Sequence, residues 1–367
     1  MPKPATLALA AALGVGLAGC AELSYYAQAV GGQAALLRAA RPIPELLADP
    51  ALDSGLRTRL TQAQAIRDFA SRELALPDNG SYQRYADLGR PYVVWNVFAA
   101  PEFSLDLENW CFIVVGCVPY RGYYRQADAE DFAQTLRERG LDTYVSGIAA
   151  YSTLGFFADP LLNTFLRLGD ERAARTVFHE LAHQRLYVKG DPAFSESFAT
   201  AVEYEGLRRW FTSVNDSAAL LRLELRQQRQ REFDADAEAC RAQLRDLYAA
   251  SLDIEEKQRR KTEIMAELTA KLERSAAQRG PTPQGREASQ LSTSLPTSPL
   301  PTPVSAFNNA VLGSQGLYRR WVPAFRALLR AADGDLPAFY RQAAALAGLP
   351  AGEREAALSR LLAAEEP

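Results

Sequence analysis

Histidine occurs only twice in 367 residues, and both copies fall in one five-residue string, His179-Glu180-Leu181-Ala182-His183. On an α-helix, residues four apart project from one face, so both imidazoles can close on a single ion. The flanking residues predict such a helix. Asp170 is expected as its N-cap and Glu171 in its first turn, while Ala173, Ala174, Val177, Phe178, Leu181, Ala182 and Leu186 make an apolar stripe. Burying two histidines and a glutamate with no ion between them is costly, so the string asks for a metal. In a chain with two histidines, chance places an H-E-x-x-H string on the order of once in 3,000. Imidazole and carboxylate ligands with one open position make zinc the expected ion. Glu180 follows the first histidine directly, placed to take a proton from water acidified by that ion.

A tetrahedral catalytic site needs a third protein ligand, and the downstream residues offer Glu196, Glu203 and Glu205. A nucleophilic triad would have to borrow a histidine from this same string, which nearly closes that class. Composition closes others. With 48% hydrophobic and 23% charged residues and a net charge of −3, this is neither a disordered chain nor a basic nucleic-acid binder, and no nucleic-acid partner is expected.

The first residues read as a targeting segment. Lys3 precedes an apolar run from Leu7 to Leu17, and Leu17-Ala18-Gly19-Cys20 resembles the bacterial lipobox. Residues 1–19 are therefore expected to be a signal peptide and Cys20 the lipidated residue, anchoring the protein to a membrane in the cell envelope. Ala21 after the cysteine points, by analogy, to the outer membrane facing the periplasm. In an exported protein, Cys111 and Cys117 of Trp110-Cys111-Phe112-Ile113-Val114-Val115-Gly116-Cys117 are expected to form a disulfide; two buried free thiols are the alternative. Cys240 has no evident partner.

Helices are expected over Ala27–Ala40, ended by Pro42 and Pro44, and over Asp53–Leu74. Tyr92–Phe98 and the cysteine segment are rich in β-branched and aromatic residues, as strands are. Ala127–Arg139 reads as a helix stopped by Gly140, and Asp142–Leu154 as one or two strands. The chain divides into N-terminal helices and a catalytic core over 20–215, a long polar helical hairpin over 216–279, a Pro/Ser/Thr-rich insertion over 280–303 expected to be disordered, and C-terminal helices over 304–367, with Leu317–Leu329 and Leu336–Leu346 periodic in apolar residues. The fold class is α+β, mainly helical, with a small β-sheet.

His179-Glu180-Leu181-Ala182-His183-Gln184, followed by Ser195-Glu196-Ser197-Phe198-Ala199-Thr200-Ala201-Val202-Glu203-Tyr204, resembles the gluzincin metallopeptidases. The strings are nearest to HELAHQ and NEGFASYVEY of the zinc aminopeptidases related to aminopeptidase N. The lipobox, the W-C-x5-C segment and the helical C-terminus also resemble a family of bacterial lipoproteins described as zinc aminopeptidases. These resemblances imply a zincin-like core and Glu196 as the third zinc ligand. Glu203, seven residues on and so on the same helix face, is the runner-up ligand and is expected in a supporting role. They imply a tyrosine facing the metal as oxyanion partner; Tyr318 is the candidate, with Tyr151 and Tyr187 as competitors. The sequence departs from the aminopeptidase N pattern in its shorter loop after His183, in Ser195 where Asn is usual, and in lacking the G-x-M-E-N string that anchors a free amine. Asn308 and Asn309 are candidate hydrogen-bonding partners for substrate backbone, and Ala149–Gly155 is a candidate edge strand for pairing with an extended peptide. The expectation is a zinc metallopeptidase acting on peptides, an aminopeptidase by resemblance. A zinc endopeptidase and a lipid-tethered envelope scaffold with structural zinc are the alternatives.

Overall fold

The computed structural model describes residues 24–112, 116–150, 152–279, 307–317 and 319–363. Residues 1–19, Cys20, Tyr151, the 280–303 insertion and Tyr318 lie outside the described residues.

The fold is α+β and mainly helical. Helix α1 covers 24–39. Pro42 and Pro44 do more than end it: Pro42 is the N-cap of α2 (Ile43–Ala48) and Pro44 lies in that helix's first turn, where a missing N–H costs nothing. Helix α3 (Ser54–Arg72) is capped by Asp53, whose carboxylate accepts from the Leu56 amide.

The main sheet has three antiparallel strands in the order β6-β3-β7: β3 (Val94–Pro101), β6 (Arg121–Tyr123) and β7 (Leu141–Ile148). Side chains alternate across it. Trp95, Val97 and Ala99 pack against Ala129, Ala133 and Leu136 of α4 (Gln126–Glu138). Phe98 and Ala100 face the other way, onto Ala310. Strand β7 ends at Ile148, and 149–150 and 152–155 carry no strand, with Ala149 and Ala150 buried. The described part of the candidate peptide-pairing segment is therefore irregular backbone, buried at 149–150 and more exposed at 152–155. A hairpin of β4 (Trp110–Phe112) and β5 (Gly116–Val118) carries the Cys111–Cys117 disulfide across paired positions. A second small sheet joins β1 (Arg41–Pro42), β2 (Arg84–Ala86) and β8 (Leu161–Leu162), followed directly by α5 (Asn163–Leu166).

Two helices form the centre of the largest core: α6 (Asp170–Arg185) and α7 (Pro192–Ser213). Every residue of α6 from Ala173 to His183 is buried, so the apolar positions wrap it rather than striping one face. Its N-cap is Gly169, at φ 96°, and not Asp170, which occupies the first turn. Glycine suits this position because the backbone is left-handed there. The acid still favours the helix start through the positive end of the dipole. Gly206 lets α7 approach: a Cβ there would lie 2.7 Å from a Phe178 ring carbon and 2.8 Å from a Leu74 methyl.

Helices α8 (Ser217–Ala249) and α9 (Ile254–Arg279) make a long hairpin, joined through Asp253, which caps α9 by accepting from the Glu256 amide. One stripe, with Phe233, Ala237, Cys240, Leu244 and Leu247, packs on Met265, Leu268 and Leu272. Cys240 is buried there as a free thiol. The C-terminal part is α10 (Asn309–Leu317), α11 (Val322–Ala331), α12 (Leu336–Ala347) and α13 (Ala351–Ala363). The apolar period from Leu317 to Leu329 is thus not one helix. Residues 319–320 form a turn, and α11 starts afresh with Pro323 in its first turn.

Candidate metal centre

Helix α6 sets His179 and His183 one turn apart, 7% and 6% exposed, with their rings edge to face. Asp191 caps α7 by accepting from the Phe194 amide, and Pro192 opens that helix, which fixes where Glu196 emerges one turn in. The short loop between the helices is tied down by Ser195, whose hydroxyl accepts from the Val188 amide and donates to the Asp191 carbonyl.

These constraints bring three donors together. The two Nε2 atoms are 3.2 Å apart, one Glu196 oxygen lies 3.2 Å from His179 Nε2, and its other oxygen lies 3.5 Å from His183 Nε2. Ligands at about 2.0–2.1 Å from a tetrahedral ion are separated from each other by roughly 3.3 Å. The triangle matches that edge length, so the residues fit a small divalent cation. Among the described residues, His179, His183 and Glu196 are the group of histidine, cysteine or acid side chains able to hold one.

His179 is gripped from its far side as well. Its Nδ1 lies 3.1 Å from Glu203, whose other oxygen accepts a 2.5 Å hydrogen bond from Arg175 Nε. Glu203 is 1% exposed and sits on α7 seven residues after Glu196, on the same face. A proton on Nδ1 directed at Glu203 leaves the Nε2 lone pair free for an ion, so this carboxylate sets the tautomer. Glu203 is thereby engaged by Arg175 and His179 rather than in the triangle. Glu205, the remaining downstream acid, faces away and accepts from Arg208 and Arg209.

The electrostatics describe a seat for positive charge. Burial works to lower the His179 pKa, yet hydrogen bonds to Glu196 and Glu203 push it up to about 10. Burial alone would raise Glu196 and Glu203. His183 and His179 instead hold Glu196 well below the usual carboxylate range, and Arg175 with His179 lowers Glu203. Two ionised carboxylates thus flank a ring that takes up a proton where a cation would satisfy them equally well. Glu180 differs. It is 6% exposed, and burial raises its pKa against the pull of the two histidines, which moves a carboxylate toward useful basicity.

Other residues singled out in the sequence have different employments. Asn308 donates to the Thr143 carbonyl and accepts from the Val311 amide. Asn309 is fully buried; it donates to the Pro101 and Glu102 carbonyls and accepts from the Tyr248 hydroxyl. Both asparagines tie α10 to the sheet, which gives their side chains a structural role. Tyr187 does reach the site, its ring 6.1 Å from that of His183 and its phenol influenced by Glu196. Tyr120, which follows β5, was not evident from the sequence. Burial raises its phenol, and Glu196, Tyr187 and Glu180 raise it further, so the loop between β5 and β6 carries a tyrosine whose phenol responds to this centre. Gly116 (φ 81°) packs on Lys189 in the loop between α6 and α7, where a Cβ would lie 2.9 Å from Lys189 Cγ. The only sequence cue to that proximity is the glycine beside the cysteine.

A mainly helical α+β fold built around a buried helix pair, with a histidine–histidine–glutamate triangle and a neighbouring glutamate, defines a candidate metal centre. Residues 24–358 match the model of the Aminopep family, described as "Putative aminopeptidase", and the chain belongs to that family. No curated protein and no solved structure matches the chain. The family's description suggests a peptidase.

Proposed function

We propose that the protein is a zinc metallopeptidase with a gluzincin-type, zincin-like core, acting as an aminopeptidase on peptides in the cell envelope. The observation that carries this reading is the donor triangle of His179, His183 and Glu196 with Glu180 beside it. A zinc ion held there supplies a Lewis acid, polarising a carbonyl and acidifying water. Glu180 takes a proton from the attacking water as the new C–O bond forms. It gives that proton to the nitrogen as the C–N bond breaks, leaving a carboxylate and an amine. Glu203 and Arg175 hold the His179 ring in register throughout. Tyr318 is the oxyanion donor in this reading, on the gluzincin resemblance.

Aminopeptidase action rests on the family and on the resemblance to aminopeptidase N. An intact Glu180 favours an enzyme over a scaffold, because a structural zinc has no use for a base. The lipobox-like Leu17-Ala18-Gly19-Cys20 supports lipid anchoring at Cys20, with the outer membrane facing the periplasm as the location. No helix among the described residues is long and apolar enough to cross a membrane.

The test is hydrolysis of a peptide library by the full chain, with free and N-acetylated amino termini, before and after chelation. Chelator-sensitive cleavage that N-acetylation blocks is the expected result. Equal cleavage of both sets would make the protein an endopeptidase, and no cleavage by zinc-loaded protein would favour the scaffold.

A further inference from the structure

The loop after α3 is built with unusual care for a surface connection. Arg67 of α3, 3% exposed, donates to the carbonyls of Pro77, Asn79 and Ser81, fixing three points of one turn. The turn then docks on α6: Asn79 Nδ2 donates to Gln184 Oε1 at 2.7 Å, and Gln184 Nε2 donates to Ser81 Oγ at 3.2 Å. Gln184 follows Glu180 by four residues, so the turn lies along the face of α6 that carries Glu180.

The next residue is Tyr82. Its backbone is left-handed, φ 64°, a conformation that bulky residues adopt only when the surroundings force it. Its amide donates to the Asp159 carbonyl. Its side chain is 2% exposed, and its hydroxyl finds no hydrogen-bond partner among the described residues. Burial pushes its phenol well up, and the nearby Glu180 and Asp159 carboxylates push it further, against Arg67. Strain and an unpartnered buried hydroxyl are each destabilising, and both occur on one residue that an elaborate network holds in place.

We propose that Tyr82 is a positioning residue for Glu180, its phenol O–H donating to the Glu180 carboxylate in the substrate-bound enzyme. The proposal rests on Glu180 being the base of a metallopeptidase. It gives a use to a buried phenol that has no hydrogen-bond partner among the described residues. A hydrogen bond to a charged acceptor of this kind corresponds to roughly a tenfold to hundredfold effect on turnover.

The experiment compares wild type, Tyr82→Phe, Glu180→Asp and the double variant as full chains loaded with zinc. Tyr82→Phe is expected to keep its zinc and a Tm no lower than wild type, since it deletes only an unpartnered buried hydroxyl. It should lose at least about tenfold in kcat with KM unchanged. Calorimetric affinity for a peptide hydroxamate, read without turnover, should fall by a similar factor. In the Glu180→Asp background the same change should have little further effect, because both act through one carboxylate. Full kcat in Tyr82→Phe, or an equal loss in both backgrounds, would overturn the proposal while leaving the metallopeptidase reading intact. Wild-type protein that neither cleaves peptides nor binds the hydroxamate would overturn that reading, and this proposal with it.

Discussion

The helix pair α6–α7 and the helical hairpin α8–α9 are both two antiparallel helices, yet they treat charge in opposite ways. On α9, Glu256 accepts from Arg259 and Arg260, and Arg259 also donates to Glu263, all at the surface. Such pairs are solvated, screened and individually weak. Between α6 and α7, Arg175 and Glu203 meet with side chains 5% and 1% exposed, and His179 joins them. Removing charges from water to that degree is unfavourable unless every group is matched. The hairpin's charges keep a long polar element soluble, whereas those of the helix pair are held against their solvation and serve a site.

The largest effect is expected from Arg175→Ala, which leaves the buried Glu203 charge without its arginine and answered by His179 alone. Chemical denaturation should show a loss of about 3–5 kcal/mol, with weakened metal retention because Glu203, which orients His179, loses its own support. Gly206→Ala follows: its methyl would crowd Phe178 and Leu74, and a loss of about 1–3 kcal/mol is expected by the same measurement.

Acid should also separate the two regions. Glu203 has a native pKa below its ordinary 4.5, so its stabilisation is complete above 4.5 and is lost as pH falls through the native value. Metal-free wild type should therefore lose Tm more steeply than Glu203→Gln as pH falls below about 4.5. The smallest effect is expected on the hairpin, where Glu256→Gln should leave both Tm and activity unchanged. A large loss there would show that surface charge on α9 contributes more than its exposure allows.

How much could be read from the sequence follows the same division. The spacing of His179 and His183 is a local property of a helix, and the seven-residue spacing of Glu196 and Glu203 is another; both survive any tertiary arrangement. The hairpin was legible through its polar periodicity and the break near Asp253, and the cysteine hairpin through its spacing. What escaped depends on distant partners. Asn308 and Asn309 looked available, but whether an asparagine is free depends on carbonyls about 165 and 207 positions away. The start of α6 fell to Gly169 because a left-handed entry, not a side-chain cap, sets the chain's direction there. Tyr82 and Tyr120 reach the centre from loops whose placement only the packed fold determines.

The central claim is that His179, His183 and Glu196 hold a catalytic zinc served by Glu180. Its most direct test measures bound zinc and peptide hydrolysis together in wild type, Glu196→Gln and Glu180→Gln. One zinc per chain is expected in wild type and in Glu180→Gln, with turnover abolished in the latter, and loss of zinc in Glu196→Gln. Substantial hydrolysis by Glu180→Gln, or full zinc in Glu196→Gln, would contradict it.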